Sequence, residues 1–155
     1  MEVFRITKEK FSHNLYASGF GSRWNSEGNF VIYSASSRSL AALENIVHLG
    51  TLDIINYFRV MVIYIPDNLP ILRINEINLP EEWYLKGEKG YEICRQIGDV
   101  WYKNKETAIL QVPSVIVKNE FNFIINTKHP DYKKVKLINT ESFFFDYRIK
   151  KSNLI

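Results

Sequence analysis

The chain contains one cysteine, Cys94, in 155 residues. No disulfide can therefore close within it, and no Cys-based zinc site can be assembled from a single copy. No stretch approaches the roughly 18 apolar residues of a membrane span, and the opening MEVFRITKEKF lacks the apolar run of a secretory signal. There is no linker rich in Gly, Ser or Pro, no low-complexity tract and no internal repeat. Both standard glycine-loop nucleotide fingerprints, GxGxxG and GxxxxGK followed by Ser or Thr, are missing. The net charge of +3 is too mild to announce a nucleic-acid binder. These absences leave a cytoplasmic protein with no membrane contact, no direct nucleic-acid contact and a single domain over residues 1–155.

What is present is a large apolar and aromatic content, 46% and 14%, enough for a folded core and against disorder. Residues 118–151 hold eight Lys or Arg against four Asp or Glu, which reads as a solvated basic face before it reads as a nucleic-acid footprint. VFRI, NFVIYSA, RVMVIYIP, PILRI, AILQVPS, NFIIN and SFFFDYRI read as strands. TKEKFSHNLY reads as a short helix stopped by Gly19, and PEEWY as a helical turn. SSRSLAALENIVHL is a helix opened by Ser and closed by Gly50. GYEICRQIGDVWYKNK is a helix of about four turns with Ile93, Ile97, Val100 and Trp101 inward, and Cys94 shares that neighbourhood as a packing residue. Together they predict an α+β domain with a mixed, mostly antiparallel sheet and flanking helices.

The helix over 36–49 is the informative place for chemistry. At about 100° per residue, Leu40, Leu43, Ile46 and Val47 form one apolar stripe, and Glu44 falls only about 40° from Leu40. A carboxylate there is either tied down by a cation, with Arg38 nearby, or used in a cleft, because an unpaired buried charge costs several kcal/mol. His48 and Glu44 alone are too few for a metal site. Upstream, Arg23 and Trp24 sit in a loop punctuated by Gly19, Gly21 and Gly28. Glycine permits unusual dihedrals and close backbone approach, and Arg offers a fork matched to phosphate. Trp24 reads as a loop anchor. Tyr33 at a strand end, Ser114 after Pro113, and Arg5 alternating with Phe4 and Ile6 each have an ordinary structural explanation when taken singly.

Taken together they do not stand singly. FRI (4–6), SGFGSRWN (18–25), VIYSASSRSLAALENIVH (31–48) and QVPSVIVKNEFNFIINTKHPDY (111–132), in that order, resemble the RES domain family. That family is named for an Arg, a Glu and a Ser and supplies toxins of bacterial toxin–antitoxin pairs. The resemblance implies a fold similar to ADP-ribosyltransferases, NAD as substrate and no further cofactor. Its activity would be cleavage of the nicotinamide–ribose bond by hydrolysis or phosphorolysis. It also implies a partner, an antitoxin with an Xre-like helix-turn-helix, and a toxin homodimer. Matched by motif, the name residues fall on Arg23, Glu44 and Ser114, with Tyr33 and Arg5 beside them. Glu44 and Arg23 are then the expected catalytic residues, and Arg5, Arg23, Tyr33 and Ser114 the expected NAD contacts, with no metal. Ser22 stands where the family has a second Gly, and Thr127 where it has Pro after Asn. Transfer of ADP-ribose to a protein, a binding module that has lost catalysis, and an RNA-contacting toxin using residues 118–151 are the competing readings.

Overall fold

Segments rich in β-branched and aromatic residues pair into one sheet, as such side chains favour. They are β1 (Glu2–Lys8), β2 (Val31–Ala35), β3 (Phe58–Tyr64), β4 (Ile71–Arg73), β5 (Ile109–Pro113), β6 (Phe121–Asn126) and β7 (Lys136–Phe143). Two α-helices, α1 (Arg38–Ile46) and α2 (Glu88–Asn104), accompany them in a computed structural model that describes residues 1–47, 57–85 and 87–150. The sheet order is β4-β5-β6-β2-β1-β3-β7. Only β4 and β5 run parallel; the other neighbours are antiparallel. The expected α+β domain with a mixed, mostly antiparallel sheet is what forms.

Strand alternation decides which face each residue serves. Phe4, Ile6, Ala35, Val60 and Val62 point to one face and pack with Leu40 and Ala41 of α1. On the same face, Val31, Leu110, Val112 and Ile124 pack with Cys94 and Trp101 of α2 and with Trp24 and Trp83. The opposite face carries Val3, Ile32, Ile63, Ile109 and Ile125, covered by irregular chain bearing Leu15, Ala17 and Tyr132. Both helices thus share one side of the sheet, and the space between them is where a cleft can open.

Several local expectations change. The segment TKEKFSHNLY does not form a helix: Thr7 and Lys8 continue β1 because they pair with Arg59 and Phe58, leaving a single 3-10 turn at Glu9–Phe11. The last strand lies earlier than SFFFDYRI, at Lys136–Phe143, where it pairs along the whole of β3. Past it, Phe145 turns inward and packs edge-on against Phe58 and Phe143 at 5.1 and 4.9 Å. In α1, Ser37 caps the start by accepting from the Leu40 amide at 3.1 Å, but Leu43 and Val47 are exposed, and the buried pair is Leu40 and Ala41. The Gly50 stop signal and His48 lie outside the described residues. In α2, Val100 faces solvent at 56% exposure while Cys94, Gly98 and Trp101 face inward.

Candidate active site

A cavity of about 490 Å³ opens between α1 and α2. Its lining takes in residues of both alternations, Phe4, Arg5 and Ile6 from β1 and Tyr33, Ser34 and Ala35 from β2. Neighbouring residues of a fully paired strand point to opposite faces, so this lining means that the cavity enters the seam between β1 and β2. These two strands pair only at Phe4 and Ala35. Arg5, Arg23, Tyr33 and Glu44 all line the cavity. Four of the five residues singled out in the sequence therefore meet in one space.

Glu44 reaches the cavity from the second half of α1, and Asn45 beside it anchors the helix by donating to the Ile6 carbonyl at 2.7 Å. Arg38 does not pair with Glu44; it makes a bidentate bridge to Glu141 at 2.6 and 2.9 Å. What holds Glu44 is neutral: Ser114 Oγ donates to Oε1 at 3.1 Å and Asn122 Nδ2 donates to the same oxygen at 2.5 Å. Ser114 is the fifth predicted residue. It is buried directly behind Glu44, and its own hydroxyl oxygen accepts from the Ile116 and Val117 amides at 3.1 and 3.2 Å. Its orientation is therefore set by the turn that follows β5. Two donors on one oxygen restrain the carboxylate and, among the described residues, leave Oε2 as the free acceptor.

Arg23 stands on the opposite wall, donating from Nη1 to the Trp83 and Leu85 carbonyls at 2.8 and 3.3 Å. Its guanidinium lies over the Tyr91 ring, 4.5 Å from the centroid. Arg5 Nη1 donates to the Tyr16 carbonyl at 3.3 Å, and burial lowers its pKa. One carboxylate and two guanidiniums thus line the same space, which suits a ligand that carries both anionic and electron-poor groups. Among the described residues, no group of three or more His, Cys, Asp or Glu gathers at metal-binding range.

The glycine-punctuated loop is not a free flap, because α2 clasps it. Asp99 accepts from the Ser26 amide at 2.9 Å, from Ser26 Oγ at 2.5 Å and from Asn29 Nδ2 at 2.6 Å. Arg95 donates to the Ser22 carbonyl at 3.1 Å, and Tyr102 accepts from the Phe30 amide at 3.1 Å. Inside the loop, fully buried Asn25 donates to the Phe20 and Ser26 carbonyls, both at 3.0 Å. Gly19 and Gly28 hold positive φ, +79° and +87°, which only glycine adopts cheaply. Trp24 is buried against Trp83, as its reading as an anchor requires.

The tightest point of this clasp is Gly98, where an added Cβ would lie 1.8 Å from the Trp24 carbonyl oxygen. The partner is backbone, so the helix or the loop must move. Gly98→Ala is expected to cost about 2 to 3 kcal/mol of stability, read as a lower denaturation midpoint with an unchanged denaturant slope.

Tyr33 links loop and sheet: its OH donates to Asn25 Oδ1 at 2.8 Å and accepts from the Trp24 amide at 3.0 Å. Burial pushes its pKa well above the ordinary value of 10.0, so the folded chain holds this proton more tightly than the unfolded chain does. The sign follows from linkage. Above pH 10 the unfolded chain releases this proton and the folded chain keeps it, so stability falls as pH rises. The slope from one such group is about 1.4 kcal/mol per pH unit. Between pH 10 and 11, Tyr33→Phe is expected to show a shallower loss of stability than the unmodified protein, measured by chemical denaturation.

Burial also pushes the Cys94 thiol up, which fits its packing role in the α2 interface. Sequence reasoning passed over Asn122, Asn25, Asp99 and Tyr91. Asn122 carries the clearest signal, a polar residue between Phe121 and Phe123 near the start of a strand whose centre is apolar.

The family described as the RES domain matches residues 2–146. A protein from Sphingobium sp. (strain YBL2), "Prs ADP-ribosylating toxin", is 38% identical over 135 residues, covering 83% of this chain and 80% of that one. "Toxin Res" of Photorhabdus laumondii subsp. laumondii is 32% identical over 98% of this chain and 99% of its own length. Among solved structures, a chain in the crystal structure of the M. tuberculosis MbcT-MbcA toxin-antitoxin complex superposes with a TM-score of 0.74 at 16% identity, over 92% of this chain and 84% of that chain. This last likeness shows a shared fold.

Proposed function

We propose, on the premise that the chain belongs to the RES domain family and is a toxin of that type, that it degrades NAD by splitting the nicotinamide–ribose bond. The observation that carries this reading is the meeting of Glu44, held by two donors on a single oxygen, with Arg5 and Arg23 in one cavity.

Departure of neutral nicotinamide takes the bonding electron pair with it and leaves an oxocarbenium-like ribose, as in glycoside cleavage. Glu44 Oε2 then stabilises the cation or holds the ribose hydroxyls, in a lined cavity where charge interactions exceed those in water. Arg5 and Arg23 bind the pyrophosphate, Tyr33 borders the nicotinamide end, and Ser114 acts through Glu44. Water adds at the anomeric carbon to give ADP-ribose and a proton. Phosphate in its place gives ADP-ribose 1-phosphate. NAD is consumed, so it is a substrate and no resident cofactor is invoked. A second reading, transfer of ADP-ribose to a protein, draws support from the name of the Sphingobium relative. It uses the same pocket with a protein side chain as acceptor.

In the cell, an antitoxin with an Xre-like helix-turn-helix neutralises the protein; the solved chain of the same fold is in a toxin–antitoxin complex. The test of the acceptor is product analysis after incubation with NAD and phosphate. ADP-ribose or its 1-phosphate at stoichiometry with nicotinamide supports degradation. Nicotinamide release only when a protein acceptor is added, with ADP-ribose retained on that acceptor, replaces degradation by transfer.

A further inference from the structure

We infer that Asn122 is a positioning residue of this site: its side-chain amide orients the Glu44 carboxylate so that Oε2 is the oxygen presented to substrate. The inference rests on the reading of the cavity as the place where NAD is cleaved. Asn122 sits in β6, paired with Ala35 of β2 on one side and Val112 of β5 on the other. Asn is disfavoured in strands, and here it interrupts a segment, Phe121–Asn126, that otherwise supplies Phe123, Ile124 and Ile125 to the core. It lines the cavity, and its amide donates to Glu44 Oε1 at 2.5 Å. The amide orientation is dictated by chemistry, because the flipped form would set two acceptor oxygens against each other.

Asn122 and Ser114 approach Oε1 from different strands, β6 and the end of β5, while Glu44 comes from α1. Three elements therefore converge on one oxygen. The carboxylate cannot rotate without breaking both bonds, and the reacting oxygen is prepared before substrate arrives. The other titratable groups that face this space are Arg5 of β1, Arg23 and Tyr84 of the loops, Tyr33 of β2 and Tyr91 of α2. Glu120, just before β6, is engaged by Ser37 at 3.4 Å.

The experiment compares Asn122→Ala and Asn122→Asp with the unmodified protein, reading nicotinamide release from NAD across pH and, separately, the 13C signal of the Glu44 carboxyl by NMR. Asn122→Ala is expected to lower kcat about 10- to 100-fold with KM within about twofold, since the loss falls on the transition state. Combined with Ser114→Ala it should be less than additive, because both donors serve one atom. Asn122→Asp keeps the shape but sets two carboxylates across one hydrogen bond, which hold a proton between them. The acid limb of the rate profile and the midpoint of the Glu44 carboxyl signal should both move to higher pH by about one unit or more. An Asn122→Ala protein with unchanged kcat, or an Asn122→Asp protein whose Glu44 signal titrates as before, overturns the inference. The NMR arm needs no turnover. A protein that releases no nicotinamide but shows the shift in Asn122→Asp keeps the positioning of Glu44 by Asn122 and discards the NAD-cleaving role of the site.

Discussion

Replacing Glu44 by Gln is expected to lower nicotinamide release from NAD on the order of a thousandfold while leaving the fold intact. The amide oxygen of Gln still accepts from Ser114 Oγ and Asn122 Nδ2, which now bind Oε1 at 3.1 and 2.5 Å. Packing of α1 rests on Leu40 and Ala41, which are untouched. Only the negative charge is lost, and that charge faces the ribose as its positive charge develops. A melting temperature within about 3 °C of the unmodified protein, where about 1 kcal/mol would move it by a few degrees, separates loss of chemistry from loss of structure. Steady-state kinetics should place the loss in kcat, since a group that acts on the transition state leaves ground-state binding largely alone.

Arg23→Ala is expected to act on the other parameter. A guanidinium that meets a pyrophosphate contributes charge-assisted bonds, and its removal should weaken NAD binding by about 2 to 4 kcal/mol, roughly 30- to 1000-fold in KM. Part of that loss is structural. Arg23 also ties the Trp83 and Leu85 carbonyls to the loop and covers Tyr91, so truncation frees two acceptors at the cavity wall. Arg23→Lys separates the parts: it keeps the charge and loses the planar fork. An intermediate KM is expected. Equal binding of NAD by Arg23→Ala and the unmodified protein, measured by isothermal titration with the Glu44→Gln background to prevent turnover, would remove Arg23 from the ligand contacts.

How much of this was legible beforehand differs by level. Strands dense in Val, Ile and Phe were legible because their chemistry and their tertiary role agree, as in β2, β3, β5 and β6. The helix reading of TKEKFSHNLY failed because Thr7 and Lys8 find partners in β3, and pairing across 50 residues of chain leaves no local signal. The position of β7, earlier than SFFFDYRI, has the same cause. KLINTESF has five polar residues in eight, and the ladder with β3 rather than its own composition makes it a strand. On α1 the periodicity points to Leu43 and Val47 as buried, yet both are exposed, and Val47 lines the open cavity at the end of the helix. An apolar stripe along a cleft looks the same in sequence as one along a core.

The site was legible in its principal side chains and not in their supports. Glu44, Arg23, Arg5 and Tyr33 line one cavity with Ser114 behind it, and they were reached through resemblance, since each had an ordinary structural explanation alone. Asn122 and Asp99 were not reached, although Asp99 alone accepts three hydrogen bonds from the glycine loop. Such residues act on other protein groups 70 or more positions away, and no spacing rule connects them. The unusual dihedrals that the loop glycines permit are present at Gly19 and Gly28, and α2 clasps the loop through Asp99, Arg95 and Tyr102.

The most direct test of the account is nicotinamide release from NAD by the purified, antitoxin-free protein, with Glu44→Gln measured beside it at equal concentration of folded protein. Release by the unmodified protein and almost none by the variant is the expected result. Equal release by both, or none by a protein shown to be folded, with protein acceptors supplied as well as water and phosphate, would contradict it.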